Sequence, residues 1–162
     1  MIENIIDTAI KSNANNNIIV LGHQNEEVEK YIKKDIIITI NSEYKKGLST
    51  SLKKGISAIP EESDAAIIIL GDMPKISSNL INSLIKNFDP QNNKHFVCPS
   101  YKGKRGNPIL IGRKYFPDIL NLKGDMGAKN ILKQNSNDIC VIKQNNSASL
   151  IDIDTQDDLK KL

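Results

Sequence analysis

Asp72 ends an unbroken apolar run, Ile67-Ile68-Ile69-Leu70-Gly71, and is followed at once by Met73-Pro74. A short continuous apolar run reads as a strand buried on both faces, of the kind parallel α/β sheets contain. Gly71 lets the chain turn and Pro74 cannot extend a ladder, so Asp72 falls where the strand leaves the sheet. Ligands of open α/β sheets bind outside the carboxyl ends of the strands. A carboxylate there can hold a hard divalent cation through oxygen, which suits a phosphate-bearing substrate. A solvated turn Asp is the plain alternative.

Three further loops belong to the same chemistry. Lys102-Gly103-Lys104-Arg105-Gly106-Asn107-Pro108 sets flexible glycines among three cations, as a polyphosphate or another anionic substrate requires; otherwise it is a solvated hairpin tip. Gly47-Leu48-Ser49-Thr50-Ser51-Leu52 opens a helix, where backbone N–H groups, hydroxyls and the helix dipole favour an anion or a base. Ser and Thr are also the commonest caps, so that signal is weak alone. Asp152-Ile153-Asp154-Thr155 offers a second carboxylate pair at a strand end, with a plain N-cap at Asp154 or Thr155 as the alternative. Two separated acidic strand ends and a basic Gly-rich loop together suit metal-assisted phosphoryl or nucleotidyl transfer.

Arginine usage points to the same loop. Of 22 basic residues only Arg105 and Arg113 are arginines. Where a plain positive charge suffices Lys serves, whereas a planar fork gripping phosphate or carboxylate needs Arg. A surface salt bridge is the competing account, stronger for Arg113 than for Arg105. The net charge of +3 does not imply a nucleic-acid partner: aromatics are only 4% of the chain, leaving little for bases to stack on. No apolar stretch approaches the ~20 residues that span a bilayer, and the first residues lack a basic secretory start, so a cytoplasmic location is expected. Cys98 and Cys140 lack metal-ligand spacing and read as small buried residues. His23 and His95 read as structural.

The elements that must position these loops alternate. Helical spacing of Ile2, Ile5, Ile6, Ala9 and Ile10 predicts an opening helix. Strands follow at 18–21, 36–40 and 65–70, separated by helices at 25–33 and 48–59. A Ser-capped helix spans 77–88, and short strands at 95–99 and 108–111 flank the basic loop. Helices near 115–120 and 127–134, strands at 139–142 and 150–153, and a terminal helix opened by the capping box Thr155-x-x-Asp158 complete the order. This pattern predicts one α/β domain: a three-layer, mostly parallel, doubly wound sheet with right-handed crossovers.

Five segments carry a resemblance. Gly47-Leu48-Ser49-Thr50-Ser51-Leu52-Lys53-Lys54-Gly55 resembles G-x-S-x-S-L-x-x-G, and Leu70-Gly71-Asp72-Met73-Pro74 resembles L-G-D-x-P. Arg105-Gly106-Asn107-Pro108-Ile109-Leu110 resembles R-G-[HN]-P-V-L, and Gly124-Asp125-Met126-Gly127-Ala128-Lys129 resembles G-D-x-G-A-[RK]. Asp152-Ile153-Asp154-Thr155-Gln156-Asp157-Asp158-Leu159 resembles D-I-D-T-P-E-D-L. In order and spacing these resemble the MobA-like NTP transferases, and within them the molybdenum cofactor cytidylyltransferases. The resemblance implies a nucleotide-diphospho-sugar transferase-like, Rossmann-like fold. It implies transfer of CMP from CTP to the phosphate of molybdopterin with release of pyrophosphate. Mg²⁺ would be held by Asp72 and Asp154, with Asp152 as the alternative second ligand, and Asp72 and Asp154 would be the catalytic pair. Gly47, Ser49, Ser51, Gly71 and Asp72 would face the nucleotide, and Arg105, Gly106, Asn107, Pro108, Gly124 and Asp125 the molybdopterin-type substrate. A molybdoenzyme or its chaperone is the further partner implied.

One departure stands out. Members of that family begin with a strand and a Gly-rich triphosphate loop of the type L-A-A-G-x-S-x-R-M-G. This sequence opens instead at Ile2-Glu3-Asn4-Ile5-Ile6-Asp7-Thr8-Ala9, which resembles the helix that follows. The expectation is therefore an N-terminally incomplete domain over 1–162, lacking the first strand and by itself inactive on CTP. Two other readings remain: a nucleotidyltransferase of the same fold with another phosphorylated acceptor, and a degenerate, non-catalytic binding homologue.

Overall fold

The computed structural model of the chain describes residues 2–32 and 36–147. Helix α1 (Ile2–Ile10) turns Ile5 and Ile6 inward, as its spacing predicts. Strand β1 (Ile18–Leu21) pairs in parallel with β2 (Ile37–Ile40), with α2 (Asn25–Glu29) between them in sequence. Helix α3 (Leu48–Ser57) then crosses back to β3 (Ala65–Ile68), and α4 (Ser78–Asn87) leads on to β4 (Phe96–Tyr101). Ser77 caps α4 by accepting from the Leu80 N–H at 3.2 Å. The hairpin strand β5 (Lys104–Arg105), β6 (Ile109–Gly112), α5 (Phe116–Leu120), α6 (Ala128–Gln134) and β7 (Ile139–Lys143) complete the described part. The strand expected at 150–153 and the terminal helix lie outside the described residues.

The doubly wound, three-layer character stands. Along β4 and β6, successive side chains face opposite sides of the sheet. Phe96, Cys98, Ile109 and Ile111 pack against Leu52 and Ile56 of α3 and against α5 and α6. Val97 and Leu110 pack on the other face against Leu84 of α4. Cys98 and Cys140 join these opposite clusters and stay free thiols; burial raises the Cys98 thiol above its ordinary pKa.

Strands β3, β4 and β7 run one way, and β6 lies reversed between β3 and β4. Two details depart from the sequence reading. The ladder of β3 ends at Ile68, paired with Ile109, because the partner strand is preceded by Pro108, which has no N–H to donate. The strand is also less buried than a doubly covered one: only Ala66 is buried, while Ala65, Ile67 and Ile68 are half-exposed. The physical reason is its outer edge, which pairs with nothing among the described residues. Strands β1 and β2 form a separate two-stranded sheet, and an apolar cavity lies between β1 and β3.

Far from the basic loop, a small polar latch closes the opposite end of the sheet. Asp138, just before β7, accepts from the Tyr115 hydroxyl at 2.5 Å and from the Lys114 ammonium at 3.1 Å. The Tyr115 hydrogen bond, then Lys114, holds its carboxyl below the ordinary value of 3.8. A depressed carboxyl pKa contributes stability above the unfolded value, and that stability disappears as pH falls through the folded value. Acid titration of stability should therefore be steeper below pH 3.8 for the wild-type chain than for Asp138→Asn. Identical acid limbs in circular dichroism melts of the two proteins would remove this role.

Candidate active site

The register brings the sequence-predicted loops to one end of the sheet. Ile68 opposite Ile109 puts the exit of β3 beside the entry of β6, so Asp72 and Pro108 leave and enter the same edge. Ser100 opposite Arg105 carries the basic loop to that edge, and the Gln144 N–H donates to the Ser100 carbonyl at 2.7 Å, so β7 ends there too. Asp152 and Asp154, a few residues further along the chain, lie outside the described residues.

Asp72 carries the sharpest signal. Its Oδ1 is buried and has no hydrogen-bond partner among the described residues. A buried carboxylate oxygen without a donor costs desolvation energy that a structural role does not recover. That orphaned hard oxygen fits a divalent-cation ligand. Among the described residues no three His, Cys, Asp or Glu side chains gather as a metal set, so Asp72 stands there as a single candidate ligand.

The basic loop is built for display. Lys102 (φ 48°) and Gly103 (φ 80°) form a two-residue turn between the paired Tyr101 and Lys104, a conformation that matches the twist of a hairpin. Lys102, Lys104 and Arg105 are exposed, while Gly106, Asn107 and Pro108 are buried at the strand entry. Of the six expected substrate-facing residues, then, Arg105 offers a free side chain in this loop and Asn107 is walled in. The other arginine is accounted for structurally. Arg113 lies at the far end of β6, where its Nε donates to the Ser63 carbonyl and its Nη2 to that of Pro60 at 2.6 Å, with the guanidinium over the Phe116 ring. His23 and His95 likewise serve packing: His23 Nδ1 lies 3.2 Å from the Tyr44 hydroxyl, and His95 stands edge-on to Tyr115.

The start of α3 is less open than its sequence suggests. The Leu48 N–H donates to Asp125 Oδ1 at 3.3 Å, the Ser49 N–H to the Gly124 carbonyl at 3.1 Å, and the Thr50 N–H to the Gly47 carbonyl at 3.1 Å. Two expected site segments, 47–51 and 124–125, are thus joined directly, with Asp125 where an anion would sit at a helix start. Ser49 is buried to 1% exposure. Sequence reasoning missed Asn41, at the exit of β2. It is buried, its amide donates to Thr50 Oγ1 and Ser51 Oγ, both at 2.9 Å, and its carbonyl accepts from the Glu43 N–H at 3.0 Å. The signal was present: an Asn leaving a strand commonly bonds the backbone two residues on, and a hydroxyl pair follows in the next helix.

This arrangement is that of a nucleotide-handling α/β domain, with an acidic strand end and a basic hairpin at one edge. Residues 1–139 match the MobA-like NTP transferase domain, and the chain belongs to that family of nucleotidyltransferases. It is 31% identical over 115 residues to the purine catabolism protein PucB of Bacillus subtilis, covering 70% of this chain but only about half, 54%, of PucB. It is 26% identical over 159 residues to the molybdenum cofactor cytidylyltransferase of Escherichia coli, covering 95% of this chain and 79% of that enzyme. The fold matches the manganese complex of Rv0371c from Mycobacterium tuberculosis H37Rv with a TM-score of 0.85 at 18% identity, over 99% of this chain and 84% of that one. Among the described residues no helix is long and apolar enough to cross a membrane.

Proposed function

We propose that the chain acts in cytidylyl transfer to the phosphate of a molybdopterin-type acceptor. The observation that carries the reading is the buried, unpartnered Asp72 oxygen at the edge where the basic hairpin emerges. The likeness to the Escherichia coli cytidylyltransferase over nearly the whole chain supports the choice of base and acceptor. In this reaction an acceptor phosphate oxygen attacks the α-phosphorus of CTP. The new P–O bond forms as the α–β bond breaks, and pyrophosphate leaves with the electron pair. A divalent cation such as Mg²⁺ at Asp72, with Asp154 or Asp152 as second ligand, would neutralise triphosphate charge. Lys102, Lys104 and Arg105 position the anionic acceptor, and the segment 47–51 faces the nucleotide. Arg105→Lys should weaken acceptor use by about 1–3 kcal/mol, the cost of a lost charge-assisted hydrogen bond. Unchanged acceptor KM and kcat in that variant would reduce Arg105 to a simple positive charge.

The 162 residues by themselves are expected not to turn over CTP. A triphosphate carries close to four negative charges and needs a surround of backbone donors to be held in line. The described residues supply few, because the first N–H groups of α3 already bond to Gly47, Gly124 and Asp125. Titration calorimetry and a pyrophosphate assay with CTP, GTP or ATP and Mg²⁺ test both halves of the reading. They would compare this chain with a version extended upstream by a strand and a Gly-rich loop. CTP-selective turnover by the extended version alone is the expected result. Turnover by the 162 residues alone would overturn the expected inactivity, and selectivity for another nucleotide would overturn the cytidylyl assignment.

A further inference from the structure

Asn41, at the exit of β2, spends its side chain on the protein. The residue is 4% exposed, and its backbone N–H continues the ladder to the Leu21 carbonyl at 2.7 Å. The Glu43 N–H donates to Asn41 Oδ1 at 3.0 Å. A backbone N–H can only donate, so that bond fixes which end of the amide is oxygen. The NH2 group must then face α3, where it donates to Thr50 Oγ1 and Ser51 Oγ, both at 2.9 Å. Each hydroxyl accepts from Asn41 and keeps one hydrogen to give. Thr50 gives its hydrogen to the Gly47 carbonyl at 2.8 Å, with the Glu43 carbonyl at 3.2 Å as the second acceptor. Ser51 has no acceptor among the described residues. A helical Ser ordinarily returns its hydrogen to the carbonyl four residues back. For Ser51 that is the Gly47 carbonyl, which already accepts from the Thr50 N–H at 3.1 Å and from the Thr50 hydroxyl.

We propose that Asn41 is a positioning residue that turns the Ser51 hydroxyl into a donor toward the nucleotide, so that the site favours a base with a bare ring nitrogen. The inference rests on the reading that segment 47–51 faces the nucleotide. Asn41 acts through Ser51 rather than on the ligand, because its three side-chain bonds are already made within the protein. The partner of Ser51 is the base and not a phosphate. Leu48 lies one turn before Ser51 on the same helix face, and its N–H holds the Asp125 carboxylate. A second negative charge beside that carboxylate is repelled. Cytosine presents a bare N3 next to its O2 carbonyl and accepts the Ser51 hydrogen. Uracil carries an N–H at the same position. To accept from it, Ser51 would have to turn its own hydrogen away, and no acceptor waits for it among the described residues. A half-buried donor left unpaired in this way penalises the wrong base.

Asn41→Asp tests this with little change of shape. It keeps an acceptor for the Glu43 N–H but has no N–H to give, so Ser51 must donate inward and shows the ligand only lone pairs. The 162-residue protein is titrated with cytidine and with uridine, and the backbone amide resonances of residues 47–52 are followed by NMR. Nucleosides carry no phosphate, so the charge introduced at position 41 does not act on them directly. Wild type should bind cytidine saturably and more tightly than uridine. In Asn41→Asp and in Ser51→Ala that preference should fall about fivefold, the worth of one hydrogen bond. The double variant should lose no more than either single one, because both remove the same donor. Equal weakening of the two nucleosides by Asn41→Asp, or additive losses in the double variant, would make Asn41 merely structural and overturn the inference while the nucleotide reading stands. Absence of saturable shifts in 47–52 of the wild type with either nucleoside would overturn both. If Asn41→Asp does not fold, Ser51→Ala decides. It should lower the preference and move one of the two Asn41 side-chain amide proton resonances more than the other. An unchanged preference or an unmoved pair would overturn the inference.

Discussion

Replacing Asp72 by Asn should stabilise the metal-free protein and abolish its response to divalent cations. The two effects come from one feature. Oδ1 of Asp72 is buried without a donor, so in the absence of a cation the carboxylate pays for desolvation that nothing on the protein returns. An amide of the same shape carries no charge and pays less, and the expected gain is about 1 kcal/mol, read as a rise of about 2–4 °C in melting temperature. The same change removes a hard anionic ligand. Altering a partner that merely orients a metal ligand costs 10–100-fold in affinity, so loss of the ligand itself should exceed about a hundredfold. Melting curves with and without Mn²⁺ or Mg²⁺ in the presence of CTP separate the two effects. A variant less stable than wild type without metal would make Asp72 a structural residue whose partner lies elsewhere. A variant with an undiminished metal response would remove it from the site.

The architecture was legible where the pattern was local. Apolar runs at 18–21, 65–70 and 139–142 and the 3.6-residue stripe of α3 marked their elements because each buries one or two faces of a regular structure. The Ser77 cap was readable for the same reason, as turn chemistry written in neighbouring residues, whereas 102–108 read only as a basic loop with a hairpin tip as the alternative, and its two-residue turn at 102–103 came from the structure. What could not be read was pairing between distant segments. Nothing local in Ile109-Leu110-Ile111 says that this strand runs reversed between β3 and β4. Nothing in 47–51 says that the helix start is already bonded to residues some 75 positions later, since an Asp at 125 and a free helix start look alike in a sequence. Arginine usage told only half its story. Scarcity singled out both Arg105 and Arg113, but whether a fork meets a ligand or the carbonyls of Pro60 and Ser63 depends on which end of β6 it occupies.

The contact between helix start and turn makes Gly47 the most demanding position in the candidate site. Its backbone lies at φ 110°, ψ 170°, a conformation essentially confined to glycine. A Cβ there would also fall 2.4 Å from the Gly124 carbonyl carbon, 2.5 Å from its oxygen and 2.7 Å from Asp125 Oδ1. Two of these are backbone atoms, so the clash cannot be relieved by swinging a side chain; the turn itself must retreat. Retreat breaks the bonds from Leu48 and Ser49 to Asp125 and Gly124 and leaves the first turn of α3 to water. Backbone strain of about 1–3 kcal/mol and a lost hydrogen bond of about 1 kcal/mol put the cost of Gly47→Ala near 3 kcal/mol. That is a large share of the stability of an ordinary domain. Asp125→Ala, which removes one acceptor and introduces no clash, should cost about 1 kcal/mol, the usual value of a cap. Urea unfolding of the two variants separates strain from capping, and hydrogen exchange at Leu48 and Ser49 should quicken in both. A Gly47→Ala protein within about 0.5 kcal/mol of wild type, the range of an ordinary surface change, would mean that the two segments part at little cost. They would then be independent loops rather than one assembled edge of the site.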